Sequence, residues 1–545
     1  MAATRRPAWL PEPIELEVTS RFGTVVRADA YLPEGSGPFP VLLAASPYQK
    51  ALIGLPAYWA FPFRETGPID LYLERGYAFV AVDVPGTGRS EGAWDLVSRE
   101  EGLAVHDVIE TVATQPWSTG RVGMIGQSAF CWSQWNVART CPPHLATIVA
   151  YDGATDMYRD WMYHGGIPTT NFVSNWYTSV LSRHQDQGHD VFGSDRYKLI
   201  ANILSHPFDD EWQRRRAPFW ELDRVTIPVL SIGCWGKAGL HLRGNVVGFN
   251  RVAGPRKLLV VDAMSSREAF QLYSTRSFHE AEILPWYERY LKGVETGVED
   301  LPPVRYKIPG RPGLRTARSW PPEDAQVVTW FLSGERSGAL RSLNDGSLVD
   351  EVPERGPDAT SWSYPDERWM LGTTTIEEGA LDHLARVNTF ASGPFREACE
   401  FTGDGKVVLF ASSDQQDFDV AAKLSVVPAH GDQRGARRVA AGWLRASHRE
   451  LDPSLSTDLR PFHRHERALP VEPGEVYELE IELLPYSFVV SPGERLVLEL
   501  SNADSQVLDY VQIIYGEKWG TDTYHHSRRY PSRLVLQRRP TEEGP

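Results

Sequence analysis

The sequence predicts an α/β protein that carries a second, all-β half. Three observations lead there. Over residues 1–152, short apolar runs alternate with a helical pattern. At residues 153–222 that rhythm gives way to segments rich in Trp, Tyr, His and Asn. Beyond a proline-rich connection at 299–326, short alternating strands with Gly and Pro turns take over. The 545 residues exceed one domain of about 100–200 residues.

The elements follow in order. "LEVTS" and "GTVVRADAYLP" predict an opening hairpin, and "FPVLLAAS" and "YAFVAVDV" are apolar runs of the kind buried in a parallel sheet. "SREEGLAVHDVIETVATQ" predicts an amphipathic helix with Leu103, Val108 and Val112 on one side. "GRVGMIG" and "HLATIVAYDG" continue the sheet. Residues 153–225 predict a helical cap over the sheet's carboxyl edge. "IPVLSIGCWG" and "RKLLVVDA" resume the sheet, and "EAEILPWYERYLKG" closes it with a helix stopped by Gly293. The expected units are thus 1–152 and 226–300 for the core and 153–225 for the cap. Residues 301–545, linker included, form a β-sandwich marked by "EVYELEIEL", "ERLVLELS", "GKVVLFASS", "DVAAKLSVV" and "SRLVLQRR".

Composition narrows the function. The net charge is −15, and the basic runs at Arg214–Arg216 and His463–Arg467 are short, so a nucleic-acid partner is not expected. Four scattered cysteines form no C-x-x-C pair, which argues against a zinc site and for a reducing compartment. No apolar run follows the N-terminal arginines and none spans a bilayer, so a cytoplasmic protein without a membrane partner is expected. The glycine-rich "DVPGTGRSEG" lacks the lysine of a phosphate loop and reads as a turn after a strand.

Chemistry concentrates in "VGMIGQSAFCWSQWNVA", residues 122–138. It predicts a strand, a sharp turn at Ser128 and a helix. Such a turn projects Oγ and aims the following backbone N–H at a developing oxyanion. Gly126-Gln127-Ser128 supplies half of a G-x-S-x-G elbow; Ala129-Phe130-Cys131 supplies no second glycine.

At this point the chain resembles a known family of serine hydrolases, the group of cocaine esterase, X-Pro dipeptidyl-peptidase and glutaryl-cephalosporin acylase. The resemblance runs through "ASPYQK", "DVPGTGRSEG", "GQSAFCWSQWNVA", "DMYRDWMYHGG", "HPFDDEWQRRRAP", "LSIGCWGKAGLHLRGN", "WYERYLKG", "SWPPED", "GWLRASHRE" and "HHSRRYPSRLVL". It implies an α/β-hydrolase core, a helical cap and a C-terminal jelly-roll-like sandwich. It also implies that Ser128 is acylated and that Tyr48 and the N–H of Ala129 form the oxyanion hole. No cofactor or metal is implied, and some members of the group form dimers, so a homodimer is a possible assembly.

The acid and base do not carry over. The family's G-G-W-Y-D stretch is Gly233-Cys234-Trp235-Gly236-Lys237 here, and its G-P-W-x-H stretch is Asp262-Ala263-Met264-Ser265-Ser266. Three readings follow. Ser128 works with another base, for which Lys237 and His164 are the candidates, with Asp152 as an acid and His241 as an outside choice. The oxyanion hole serves non-hydrolytic chemistry: isomerisation, elimination, carbon–carbon cleavage or cyclisation. Or the chain binds a ligand without turnover. The first is preferred: a hydrolase or acyl transferase for an ester, amide or related carbonyl. Its small-molecule substrate would be small to medium and apolar, because Trp59, Phe130, Trp132, Trp161 and Trp235 are plausible pocket walls. Trp176 is a further candidate for that wall.

Overall fold

The computed structural model describes residues 7–52, 65–179, 195–364, 375–377, 380–382, 385–428, 435–502 and 519–540. Trp59 lies outside them.

The described residues of the first half build a ten-stranded sheet. Strand β1 (Ile14–Thr19) pairs antiparallel with β2 (Val25–Tyr31), the expected hairpin, and β3 (Phe39–Ser46) follows. Helix α1 (Ile69–Glu74) leads to β4 (Ala78–Asp83), and α2 (Arg99–Ala113) leads to β5 (Ser118–Met124). Helix α3 (Ala129–Ala138) then leads to β6 (Leu145–Tyr151). The cap supplies a two-stranded hairpin, β7 (Tyr163–His164) with β8 (Ile167–Pro168), and helix α4 (Thr170–Ser179). Strands β9 (Val229–Cys234), β10 (Arg256–Val261), β11 (Val304–Tyr306) and β12 (Arg315–Ala317) complete the sheet.

The strand order is β1-β2-β4-β3-β5-β6-β9-β10-β11-β12, parallel from β4 to β11. The chain leaves β3 for β4 on one side and returns to β5 on the other. That reversal is a topological switch point, where the loops after β3 and β5 diverge and leave a crevice at the carboxyl edge. Tyr48 follows β3 and Ser128 follows β5, so the topology alone sets them side by side. Nearly every residue of β3 and β4 is buried, as a strand covered on both faces requires.

Helix α2 shows how local sequence fixes an element. Ser98 Oγ accepts from the Glu101 N–H at 3.1 Å, an N-cap that satisfies a first-turn donor. Its buried stripe is Ala104, Val105, Val108, Ile109 and Val112, with Leu103 at the half-buried margin rather than at its centre. The helix Leu284–Lys292 stops at Gly293, whose φ of 75° suits a left-handed C-cap. The turn after β4 is held from within: Asp83 accepts from the backbone N–H groups of Lys50 at 2.7 Å and Arg89 at 2.9 Å.

The described residues of the second half form a β-rich unit with an eleven-stranded sheet and its own apolar core. The expected strands are present as Cys399–Ser413, Asp419–Val427, Tyr477–Val490, Arg495–Ser501 and Arg533–Arg539. Along Tyr477–Val490 the alternation reads as predicted, with Leu479, Ile481 and Leu483 buried. The cap hairpin docks on the strand Arg437–Arg445: the Arg445 N–H donates to Gly165 O at 2.8 Å. Gly165 has φ 56°, and a Cβ there would lie 2.0 Å from Trp443 O. Only glycine permits that approach.

Candidate active site

Ser128 sits between β5 and α3 with φ 59° and ψ −118°, a conformation rare for a residue with a side chain. Its N–H donates to Asp152 O at 3.0 Å, and Gln134 Nε2 donates to Gly126 O at 2.8 Å, so the turn is tied on both sides. Gly126 has φ 130°, and a Cβ at that position would fall 2.3 Å from Phe130 Cβ. The elbow therefore places its need for glycine at the first position, and the second tolerates phenylalanine. Ala129 opens α3, so its N–H belongs to the first turn, where no intrahelical acceptor exists.

Tyr48 follows β3 and meets the Phe130 ring edge-on, with the ring centres 5.9 Å apart. Its Oη accepts from Trp176 Nε1 at 2.9 Å, which turns the phenol's own proton away from that indole. Burial, reinforced by the charge of Glu65, holds the phenol well above its ordinary pKa. It is a hydrogen-bond donor at every working pH.

The imidazole beside Ser128 is that of His241. Its Nε2 stands 3.3 Å from Ser128 Oγ, and its Nδ1 accepts from Trp132 Nε1 at 3.3 Å. His241 lies in a π-turn, Ala238–Leu242, just past β9. Such turns widen the helix by one residue and recur at functional sites. Burial, followed by the charge of Lys237, pushes the imidazole well below its ordinary pKa, so it is neutral.

Lys237 has a different place from the one foreseen. Its Nζ lies 3.3 Å from Asp152 Oδ2 and 3.9 Å from the centre of the Phe270 ring, fully buried. Asp152, with φ 51° after β6, also accepts from Gln127 Nε2 at 3.0 Å. The cation thus neutralises a buried carboxylate behind the elbow, and the space at Ser128 goes to His241. His164 is drawn to the other side of the cap. Its ring lies 4.8 Å from Trp443 of the β unit and lines a cavity of about 40 Å³ with Arg159, Arg243, His463 and Glu482.

The stretch where the family histidine was sought has become a helix start. Ser265 Oγ accepts from the Glu268 N–H at 3.2 Å, capping Ser266–Tyr273. Gly236 lets that loop close in, because a Cβ there would sit 2.3 Å from Met264 C. His279, the next imidazole in the chain, is bonded to Tyr72 Oη at 2.6 Å and Tyr273 O at 2.7 Å.

Sequence reading missed Glu65. Its backbone O accepts from the Gln127 N–H at 2.8 Å, so it abuts the elbow. Its carboxyl is buried, and Oε2 has no hydrogen-bond partner among the described residues. Burial raises its pKa to about 8; Lys237 opposes the rise and Asp152 adds to it. The residue stands alone in a polar stretch, "RETGP", and nothing in that pattern distinguishes it from a surface glutamate.

Aromatic rings wall the site. Trp132 stacks on Trp161 at 5.2 Å and 9°, and Trp176 meets both edge-on at 5.4 and 5.8 Å. Trp235 belongs elsewhere: its indole donates to Lys307 O at 2.7 Å and packs near Trp320, between the core and the linker.

Comparison with known proteins agrees with this frame. Residues 23–263 match the model of the X-Pro dipeptidyl-peptidase (S15 family), and residues 296–535 match that of the X-Pro dipeptidyl-peptidase C-terminal non-catalytic domain. The chain belongs to this family. The family is one of hydrolases, esterases and dipeptidyl-peptidases among them. A cocaine esterase of Rhodococcus sp. is 25% identical over 95% of this chain and 97% of its own length. A CocE/NonD family hydrolase from Staphylococcus aureus superimposes with a TM-score of 0.80 at 25% identity, over 97% of this chain and 93% of that one. An α-amino acid ester hydrolase shares the fold at a TM-score of 0.72 and 17% identity, over 99% of both chains.

Proposed function

We propose that this family member hydrolyses, or transfers the acyl group of, an ester or amide of a small to medium apolar compound through Ser128. The observation that carries the reading is the imidazole of His241, 3.3 Å from a serine hydroxyl on a strained strand–helix turn. In the reactive state, Nε2 takes the hydroxyl proton while Oγ attacks the carbonyl carbon. The carbonyl oxygen gains charge between Tyr48 Oη and the Ala129 N–H. The protonated imidazole then gives its proton to the leaving group. The likeness to a cocaine esterase over nearly the whole chain supports an ester as substrate. The walls of Phe130, Trp132, Trp161 and Trp176 favour an apolar acyl or leaving group.

The test is covalent labelling. A fluorophosphonate is expected to form an adduct on Ser128, read by mass spectrometry, with His241→Gln slowing labelling by at least ~10-fold, part of the loss that a missing triad base brings. An adduct formed equally fast without His241, or ester turnover that survives Ser128→Ala, would overturn the assignment.

A further inference from the structure

We propose that Trp132 is a positioning residue that sets the tautomer of His241 and keeps Ser128 unactivated until the indole moves. The proposal rests on the reading of Ser128 and His241 just given.

An indole N–H only donates. Nδ1 of His241, 3.3 Å from Trp132 Nε1, is therefore an acceptor. A neutral imidazole that accepts at Nδ1 carries its proton on Nε2. Across the 3.3 Å contact with Ser128, His241 then donates and Oγ accepts. That is the reverse of the direction a general base requires. The ring gains no escape by taking a second proton, because burial and then the Lys237 charge outweigh the hydrogen bond to the Leu240 backbone that favours the cation.

In a Ser-His-Asp triad, Nδ1 faces a carboxylate, which fixes the tautomer with a bare Nε2. Losing that acceptor lowers kcat by about 10⁴-fold through the wrong tautomer. Here an indole stands in the carboxylate's place and imposes the opposite form. It is held there by its stack on Trp161 and its edge contact with Trp176, both from the cap. A change in the cap aromatics therefore reaches the imidazole directly.

Once the indole leaves, the proton moves from Nε2 to Nδ1 by exchange with water. The Nε2 lone pair then accepts the Ser128 proton as the Oγ–C bond forms and the C=O pair shifts to oxygen. The imidazolium returns that proton as the bond to the leaving group breaks, and water repeats the cycle to release the acid.

Two measurements on the full chain test this. Long-range ¹H–¹⁵N spectra of ¹⁵N-histidine protein, with His241 assigned through His241→Gln, are expected to show the Nε2–H tautomer in the wild type. Trp132→Phe keeps an aromatic ring and removes the donor. It is expected to label with fluorophosphonate at least ~10-fold faster than wild type, a fraction of the tautomer penalty, with an Nδ1–H signal appearing. An Nδ1–H tautomer in the wild type overturns the proposal even if the variant does not fold. So does a folded variant that labels no faster while wild-type labelling depends on His241; the Ser128 reading survives that result. Absence of any Ser128 adduct in either protein overturns both readings.

Discussion

At the scale of single residues, the site is a set of side chains whose charge states are decided by burial. Tyr48 stays protonated, His241 stays neutral and Glu65 holds its proton to about pH 8. Tyr48→Phe removes one donor of the proposed oxyanion hole and is expected to lower kcat on an activated ester by about 10²–10³-fold with KM little changed, measured by steady-state kinetics. Glu65 gives a signed pH effect on stability. Its folded pKa is raised above the ordinary 4.5, so the folded state binds the extra proton between pH 4.5 and about 8. The stabilisation is full below pH 4.5 and is lost as pH rises towards 8. Glu65→Gln should flatten that decline, so that urea midpoints at pH 8 to 9 rise relative to wild type.

At the scale of elements, two glycines join parts of the fold that no side chain would let meet. Gly126→Ala would drive a Cβ to 2.3 Å from Phe130 Cβ at a φ of 130°. The elbow must then open, and the variant is expected to lose Ser128 labelling together with roughly 3 kcal/mol or more of stability. Gly165→Ala meets Trp443 O at 2.0 Å at the seat of the cap hairpin. Its expected signature is different: a lower melting temperature and faster proteolysis within the cap, with the serine turn intact. Comparing labelling per folded molecule in the two variants separates elbow from cap. Much of this scale was legible beforehand. Ser128 stood out because a strand–turn–helix pattern is a local feature, whereas Tyr48 followed from the family resemblance alone. His241 was visible only as a residue four positions beyond Lys237, because its approach depends on a π-turn that sequence periodicity does not show.

At the scale of the whole molecule, the junction of core, cap and β unit buries histidines with charged groups. Arg159, at one wall of the junction cavity, pairs with Asp156 at 2.8 Å and Asp209 at 2.9 Å. Burial, and then the Arg159 charge, depresses His463 to about 3 and holds His465 well below its ordinary value. His279 in the core falls to about 3 by burial. Each is a base whose folded pKa is lowered below 6.5, so the unfolded chain binds more protons between pH 6.5 and 3. These histidines therefore contribute stability that is present above pH 6.5 and lost progressively as pH falls towards 3, opposite in slope to the contribution of Glu65. Urea midpoints from pH 8 to 4 check this, and His463→Gln should make the slope shallower.

The sequence by itself determined the sheet, the all-β half and the serine elbow. These depend on apolar periodicity, turn residues and a strand–turn–helix motif, all written within a few residues of one another. It also registered that an aspartate and a histidine were missing from their customary places. Only the tertiary structure decided what fills those places: Lys237 turned inward to Asp152, His241 turned to Ser128, and an indole set against Nδ1. Those partnerships join residues 85 to 113 positions apart along the chain, or depend on the one extra residue of a π-turn. No pattern in a linear sequence encodes the direction in which a buried side chain points once the layers around it have packed.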